Sequence, residues 1–385
     1  MTGFGPEHLP YGVFRRAGEE PRVGARLGDG ILDLAELAAD GPLDEDPLLF
    51  FQPSLNAFMA AGRETWRRVR EALLALAAGP DAEPATVALD EAQLLLPIAV
   101  GDYVDFYSSL DHATNVGRIF RPDAEPLAPN WRHMPIGYHG RSGTIVVSGT
   151  PIARPCGQRR EPDDDAPVFG PSVRLDIELE LGFVIGTPSA FGEAVAVDRA
   201  LEHVFGVLLV NDWSARDLQA WEYRPLGPFL AKSFATSVAA WVTPLDAILD
   251  RRVNAPAQKP APLEYLREEP WAFDLALEIE LNETTIARTS ARHLYWSAAQ
   301  QLAHMTVNGA SVRTGDLFAS GTISGPRPDQ RGCLLELTWN GAEPLTLADG
   351  STRSFLEDGD EVVLRGRGGA AIALGEVRGR IEPAR

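Results

Sequence analysis

The sequence predicts a mainly β protein, and three observations support this fold class. Thirty prolines are spread along 385 residues, and proline is costly inside helices but tolerated in turns, loops and strand edges. Short apolar runs of strand length recur between turn residues. Helical spacing is rare between these runs, which favours mixed or antiparallel β-sheets over an alternating strand–helix series.

The N-terminal part of the chain is predicted to be a small β-rich domain. Residues 11–34 contain short strand patterns separated by turns, with an Asp-Gly hairpin signal. Residues 61–78 have the apolar spacing of a helix, and residues 79–86, GPDAEPAT, are typical of a linker. We place the boundary shortly after this linker, so that residues 1–97 form one domain and residues 98–385 the other.

Beyond this boundary the chain becomes a series of short strands. They are predicted at residues 144–147, 175–185, 204–210, 273–281, 334–339 and 361–364. The clearest helical pattern among them is WSAAQQLAHM, residues 296–305.

The charge balance narrows the classes of partner. Asp and Glu total 54 against 35 Lys and Arg, for a net charge of −19. Nucleic acids and anionic membrane surfaces are bound largely by basic groups, and we predict neither as a partner. An acidic protein can still bind an acidic small molecule through a few focused Arg or Lys side chains.

Cysteine usage and the first residues predict an intracellular, cytoplasmic protein. Cys156 and Cys333 form no CxxC pair and give neither disulfide nor zinc-finger spacing. The opening MTGFGPEHLPYGVF has no basic segment followed by an apolar run, so we expect no signal peptide. Apolar runs such as residues 204–210 fall far short of the roughly 20 residues that cross a bilayer.

Two predicted strands carry alternating carboxylates. Asp176, Glu178 and Glu180 fall on one face of the first strand, with about 6.6–6.8 Å between alternate residues. Glu278 and Glu280 repeat the pattern on the second. Such carboxylates can converge on one hard cation, or they can form a solvated acidic face. The pattern itself does not choose between the strands or between these functions.

Two further segments place polar or charged side chains where a site can form, one at the end of a predicted strand and one in an apolar stretch. Residues 207–217, VLLVNDWSARD, end a strand at Asn211 and Asp212, which indicates either a site in the following loop or an Asx turn. Lys232 lies in an apolar, proline-containing stretch, although every other basic residue except Lys259 is Arg. Desolvation there predicts a proton donor or an anion stabiliser, with a surface lysine as the alternative.

Residues 101–143 hold three of the seven histidines. The segment has no HxH, HExxH or GxSxG pattern, so neither a zinc site nor a serine-hydrolase nucleophile is supported. A histidine here can act as a general base on water, and a packed or surface histidine is the alternative.

At this segment the sequence resembles the fumarylacetoacetate hydrolase family. The motifs are DFYSSLDHATNVG, PNWRHMPIGYHGRSG, LDIELELGFVIG and VNDWSARDLQAWEYRPLGPFLAKSFATS, in the family's order and spacing. The resemblance implies a small SH3-like N-terminal barrel and a large C-terminal mixed β-roll domain with few helices. It also implies a homodimer and cleavage of fumarylacetoacetate to fumarate and acetoacetate in tyrosine and phenylalanine breakdown.

The resemblance also assigns the site residues. The carboxylates that hold a cation fall on Asp105, Glu178, Glu180 and Asp212, which selects the first acidic strand. The water-activating base falls on His112 and its orienting carboxylate on Glu336. The electrophilic donors fall on Arg216, Gln219 and Lys232. The substrate contacts fall on Tyr107, Arg121, Tyr138, Gln219, Tyr223 and Thr322. A second cation falls near Lys232 and Thr236.

The donor set predicts the cofactor and leaves two alternative functions open. Four carboxylates without imidazole or thiolate favour Ca²⁺ and/or Mg²⁺ over zinc. The expected substrate is a small dianionic diketo acid. A related acylpyruvate hydrolase or decarboxylase on the same metal scaffold is one alternative, and a decarboxylase would not need a base at His112. A non-catalytic, cation-stabilised binding protein is the other, and it would bind metal without turnover.

Overall fold

The computed structural model describes residues 3–39, 41–79, 86–161 and 165–385. In these ranges the chain is mainly β, as predicted, with 26 strands and eight α-helices. The first strands are β1 (Tyr11–Arg16), β2 (Arg22–Leu27), β3 (Gly30–Asp33), β4 (Thr86–Ala88) and β5 (Ala92–Leu95). The first helices are α1 (Leu34–Ala39), α2 (Asn56–Ala60) and α3 (Arg63–Ala78).

The rest of the chain consists of short strands with few helices between them. The strands are β6 (Tyr103–Phe106), β7 (Gly137–His139), β8 (Ile145–Val147), β9 (Ile152–Ala153), β10 (Cys156–Arg159), β11 (Val168–Pro171), β12 (Leu175–Asp176), β13 (Leu179–Ile185), β14 (Val204–Asp212), β15 (Ser214–Ala215), β16 (Thr236–Val238), β17 (Trp241–Pro244), β18 (Arg252–Asn254), β19 (Trp271–Phe273), β20 (Ala276–Leu281), β21 (Thr284–Ser290), β22 (Leu317–Ala319), β23 (Leu345–Thr346), β24 (Thr352–Arg353), β25 (Glu361–Gly368) and β26 (Ile372–Glu382). The helices are α4 (Leu110–Phe120), α5 (Arg216–Glu222), α6 (Leu230–Ser233), α7 (Ala298–Thr306) and α8 (Leu334–Leu337). Within the described ranges, none of the helices combines the length and the apolar character needed to cross a membrane.

The largest sheet runs through both halves of the chain. Its main path is β4-β3-β2-β1-β17-β14-β13-β22-β6-β7. β1 pairs antiparallel with β17, which places Tyr11 opposite Val242. A second sheet has the order β21-β20-β25-β26-β9. The N-terminal strands are thus hydrogen-bonded to the sheet of the C-terminal part, and the domain division at residue 97 and the SH3-like barrel stay predictions.

The local predictions for the N-terminal part are confirmed. β2 and β3 pair antiparallel on either side of the Asp-Gly turn. α3 lies within the predicted helix at residues 61–78. It packs the Trp66 ring edge-on against Phe205, with ring centroids 5.0 Å apart. The predicted linker at residues 79–86 falls mostly on residues 80–85, which lie outside the described ranges.

The strands that lead to the site are buried along their whole length. β13 reads LELGFVI and β14 reads VFGVLLVND, and every residue of both is buried. Nearly continuous apolar runs are typical of strands covered on both faces. Their polar residues therefore lie in surroundings with little water.

Three of the strand predictions need correction. The predicted strand at residues 273–281 is broken between β19 and β20. Residues 334–339 were predicted as a strand, but residues 334–337 form helix α8. The Asp176 carboxylate accepts hydrogen bonds from Leu334 N (2.7 Å) and Leu335 N (3.0 Å), which satisfies two donors at the start of this helix. The predicted strand at residues 175–185 is broken between β12 and β13, and Asp176 therefore does not share the contacts of the glutamates that follow it.

Candidate active site

A cavity of about 370 Å³ collects most of the predicted site residues. The predicted residues that line it are Asp105, Tyr107, His112, Arg121, Tyr138, Glu178, Glu180, Arg216, Gln219, Tyr223, Lys232 and Thr322. The other three are Asp212, Thr236 and Glu336, which are buried. Asp212 bonds the lining residue Lys232, Glu336 bonds the lining residue His112, and Thr236 bonds Asp212. The structure therefore brings the whole predicted set together.

Four buried carboxylates converge at this cavity. Asp105, Glu178, Glu180 and Asp212 each offer one oxygen, and these oxygens lie within 4.8 Å of one another. The sheet explains the convergence, because β13 lies between β14 and β22, and β22 pairs with β6. Asp212 ends β14, Glu180 lies on β13 with Glu178 just before it, and Asp105 lies on β6, so one sheet brings these carboxylates together.

These carboxylates fit a divalent cation. Asp105 Oδ1 and both Glu180 oxygens are buried and accept no hydrogen bond from the described part of the chain. Burial and the neighbouring Asp212 raise the pKa of Asp105 well above its usual range, and burial and Asp105 do the same to the pKa of Glu180. A buried unpaired carboxylate is costly, and hard divalent cations prefer oxygen donors.

Two buried, positively charged side chains compensate part of the negative charge of the carboxylates. Arg216 Nη2 donates to Glu178 Oε1 at 2.7 Å. Lys232 Nζ donates to Glu178 Oε2, and to Asp212 Oδ2 at 2.9 Å. Burial alone would lower the pKa of Lys232, but Asp212 and Glu178 outweigh it and raise that pKa above its usual range. Lys232 is therefore a buried, protonated side chain rather than a surface lysine.

Asp212 connects the cluster to the strands around it. Tyr138 Oη donates to Asp212 Oδ2 at 2.7 Å, and Thr236 Oγ1 donates to Asp212 Oδ1 at 2.8 Å. The preceding Asn211 accepts a hydrogen bond from Glu178 N through Oδ1 at 3.0 Å. Both side chains bind distant segments, which supports a site at this strand end over a local Asx turn. The second cation near Thr236 stays a prediction.

His112 faces the cavity from helix α4. Ser109 caps this helix, and its Oγ accepts a hydrogen bond from His112 N at 3.3 Å. His112 Nδ1 lies 2.5 Å from Glu336 Oε2. The Tyr107 ring packs edge-on against the imidazole, with centroids 5.2 Å apart. These contacts fix the ring and leave Nε2 as the nitrogen that can accept a proton.

Glu336 receives further hydrogen bonds that the sequence reasoning missed. Asn115 Nδ2 donates to Oε1 at 2.9 Å, and Ser324 Oγ and Cys333 Sγ donate to Oε2 at 2.7 and 3.2 Å. Burial alone would raise the pKa of Glu336, but His112 and the hydrogen bonds lower it to about 2. Asn115 lies three residues after His112 on one helix face, a spacing that indicates a shared partner.

The second acidic strand lies apart from the site. Arg288 Nε donates to Glu278 Oε2 at 2.8 Å, and Arg365 Nη1 donates to Glu280 Oε2 at 2.8 Å. Both glutamates belong to β20 in the second sheet. Their alternation is that of a partly solvated, ion-paired face.

The cavity thus joins a cation-compatible carboxylate cluster to a fixed histidine that can take a proton from water. This is the combination used by enzymes that hydrolyse small substrates with a metal ion. A family model described as "Fumarylacetoacetate (FAA) hydrolase C-terminal" matches residues 103–382, and one described as "Fumarylacetoacetase N-terminal" matches residues 7–99. The chain belongs to the fumarylacetoacetate hydrolase family.

Curated relatives match over nearly the whole chain. The fumarylacetoacetase of Homo sapiens is 46% identical and that of Caenorhabditis elegans 45%, each match covering 100% of this chain and 97% of the relative. The fumarylacetoacetase of Arabidopsis thaliana is 43% identical, covering 98% of this chain and 95% of the relative.

Solved structures share the fold at lower identity. A fumarylacetoacetate hydrolase from Exiguobacterium antarcticum aligns with a TM-score of 0.59 at 19% identity, over 98% of this chain and 100% of the other. A maleylpyruvate hydrolase from Sphingobium sp. SYK-6 aligns with a TM-score of 0.55 at 16% identity, over 97% of this chain and 100% of the other. At this level of identity the likeness shows the fold alone.

The carboxylate cluster predicts how stability depends on pH when metal is removed. Asp105 and Glu180 have raised pKa values, so above about pH 4 the folded state binds more protons than the unfolded state. These two carboxylates are then expected to lower the free energy of unfolding as the pH rises from 5 to 8 in chelator. The lowered pKa values of His8, His293 and His304 act in the opposite direction in the same window, with cation and without it. Glu178 and Glu336 have lowered pKa values, so their contribution is complete above about pH 4.5 and does not change in this window.

Thermal unfolding from pH 5 to 8, with chelator and with excess Mg²⁺ or Ca²⁺, measures this dependence. We expect the stability to fall less, or rise more, with pH in the presence of the cation than in chelator, because the cation compensates the carboxylates as they ionise and leaves the histidines unaffected. Identical pH slopes with and without cation would contradict the prediction.

Proposed function

We propose that this chain hydrolyses fumarylacetoacetate to fumarate and acetoacetate. One observation carries the proposal: His112, which bonds Glu336, and the unpaired carboxylates of Asp105 and Glu180 face the same cavity. The matches to fumarylacetoacetases, at 41% to 46% identity over nearly full length, support the choice of substrate.

His112 is the base that takes a proton from the attacking water. Its Nδ1–H donates to the ionised Glu336, so Nε2 carries the lone pair. The carboxylate stabilises the imidazolium that forms when Nε2 accepts the water proton. A positioned base of this kind contributes typically about 10²–10⁴-fold to the rate.

A second part of the cavity lining stabilises negative charge. Asp105, Glu178, Glu180 and Asp212 would hold the cation, which when bound supplies Lewis-acid stabilisation of charge on the substrate oxygens. Arg216 and Lys232 add two fixed positive charges. Gln219 Oε1 accepts a hydrogen bond from Arg216 Nη1 at 3.1 Å, which leaves its amide N–H groups for a substrate oxygen. Preorganised donors of this kind usually make the largest contribution to catalysis.

The atoms and charges of the reaction balance without another reactant. The water oxygen bonds to the fumaryl carbonyl carbon, and the C–C electron pair leaves with the acetoacetate carbon as an enolate. That carbon takes up one proton, and His112 holds the proton that the water lost. The raised pKa of Lys232 supports a role as anion stabiliser rather than proton donor.

The cavity wall suits a dianionic diketo acid. Arg121, Tyr138 and Tyr223 line the cavity, and a guanidinium binds a carboxylate with two parallel hydrogen bonds. Tyr107 and Thr322 also line it, and Thr322 Oγ1 is buried without a hydrogen-bond partner in the described ranges. We assign these five residues to substrate binding.

The finer properties of the protein are part of the same proposal. We propose Mg²⁺ or Ca²⁺ as the resident cation, since the donors are all carboxylates. We also propose a cytoplasmic homodimer that acts in tyrosine and phenylalanine breakdown. Sedimentation equilibrium of the full chain tests the dimer, and a single species of about 41.7 kDa would contradict it.

The experiment is to follow the ultraviolet absorbance of fumarylacetoacetate with purified protein, with and without chelator. Chelator-sensitive loss that yields fumarate and acetoacetate is expected. A metal-dependent melting shift without loss of absorbance would instead favour another acylpyruvate substrate or a non-catalytic binding protein.

Gly117 supports the position of Arg121. A Cβ on Gly117 would lie 1.9 Å from the Pro126 carbonyl oxygen, which also accepts a hydrogen bond from Arg121 Nη2 at 2.6 Å. Gly117→Ala therefore has to displace the segment that holds the guanidinium. We expect a rise in KM that exceeds the fall in kcat. Gly5→Ala is the control for the substitution itself, because a Cβ on Gly5 would meet no other atom within 4 Å. An unchanged KM in Gly117→Ala would contradict the assignment.

A further inference from the structure

Asp176 bonds away from the carboxylate cluster, although it is two residues from Glu178. Its side chain is fully buried. Oδ2 accepts hydrogen bonds from Arg216 Nε at 2.8 Å and Leu335 N at 3.0 Å. Oδ1 accepts from Leu334 N at 2.7 Å and Ile177 N at 2.8 Å. Four donors from three segments therefore meet on one carboxylate.

These donors belong to the two halves of the site. Arg216 uses its other end, Nη2, to donate to Glu178 in the carboxylate cluster. Leu334 and Leu335 are the first residues of α8, which carries Glu336, the partner of His112. α8 has no side-chain cap from its own N-cap residue, so Asp176 satisfies the start of this short helix.

We propose that Asp176 is a positioning residue that fixes the His112–Glu336 pair relative to Arg216 and the carboxylate cluster. This role rests on the proposed hydrolysis, because the attacking water and the developing negative charge must meet at one carbonyl group. A small displacement of either half separates the base from the charge stabilisers, and such misplacement is costly for the rate.

Asp176→Asn is the sharpest variant, because it keeps the shape of the side chain and replaces one of its two acceptor oxygens with an NH₂ group, which can only donate. In either orientation of the amide, its NH₂ group faces two N–H donors: Ile177 N and Leu334 N, or Arg216 Nε and Leu335 N. Two N–H groups therefore lose their acceptor in the variant, and the NH₂ group repels either the start of α8 at Leu334 or both Arg216 and Leu335 N.

Asp217→Asn is the matched control. Asp217 is also buried and also accepts a backbone N–H, from Val173 at 2.8 Å, together with Ser172 Oγ at 2.6 Å. It is adjacent to Arg216 in sequence. Its loss is expected to lower the melting temperature and to leave kcat per folded enzyme unchanged.

For Asp176→Asn we expect kcat to fall about 10–100-fold, the usual cost of losing a supporting hydrogen-bond partner in an active site. KM and the Mg²⁺ concentration that gives half of the melting shift are expected to stay unchanged. In a Glu336→Gln background the same change is expected to cost much less, because both substitutions act on the same pair.

Each result decides a different question. Wild-type enzyme that does not turn over fumarylacetoacetate overturns the proposed function, and the role of Asp176 with it. Active wild type, with Asp176→Asn losing stability but no more kcat than Asp217→Asn, overturns the role of Asp176 alone. Full additivity with Glu336→Gln does so as well, because it would separate Asp176 from the pair that it is proposed to position.

Discussion

Replacing His112 with alanine is expected to lower kcat by about 10²–10⁴-fold, the contribution of a positioned general base. The cation-dependent rise in melting temperature is expected to remain, because His112 bonds Glu336 and not the carboxylate cluster. Initial rates with fumarylacetoacetate and thermal unfolding with and without Mg²⁺ or Ca²⁺ measure the two effects separately.

Two variants isolate the chemical effect from a stability effect. His112→Ala leaves the buried Glu336 without its closest partner, which is destabilising. The double variant with Glu336→Gln is expected to recover melting temperature without recovering kcat. His139→Ala is the control, since that side chain is 77% exposed and lies outside the cavity. A kcat of His112→Ala within tenfold of wild type would contradict the assigned base.

Local patterns predicted much of the fold and part of the site. Buried strands such as β13 and β14 follow from their own apolar runs, and polar residues at their ends, such as Asp212, follow from where those runs stop. The pairing of His112 with Glu336 is different in kind, because the two residues are 224 positions apart. Residue spacing carries no information on such a contact, and the expectation came from the resemblance to the family.

The wrong strand prediction and the hydrogen bonds that were not predicted also depend on contacts between residues far apart in the sequence. Residues 334–337 have the composition of a strand, yet they form a helix whose first N–H groups are bound by Asp176, 158 positions earlier. Asn115 and Ser324 are ordinary polar residues until the fold places both on Glu336. In each case a tertiary hydrogen bond outweighs a weak local preference. Such a bond can be predicted only when the positions of the distant segments in the fold are known.

Glu180 allows the sharpest test of the cation. Its carboxylate is fully buried, and neither oxygen accepts a hydrogen bond from the described residues. Without a cation this group destabilises the folded state. Glu180→Gln removes the charge and keeps the shape, so in chelator at pH 8 the variant is expected to melt above wild type.

With cation the order is expected to reverse. Wild type gains about 2.7 kcal/mol when the free cation is 100 times its Kd, whereas Glu180→Gln loses one of four ligands and most of that gain, together with its turnover. Glu278→Gln on the second acidic strand is the matched control, because Glu278 bonds Arg288 and lies outside the cluster. Thermal unfolding of the three proteins in chelator and in Mg²⁺ or Ca²⁺ gives the comparison. A Glu180→Gln variant that melts below wild type in chelator, or keeps the full cation shift, would place the cation elsewhere.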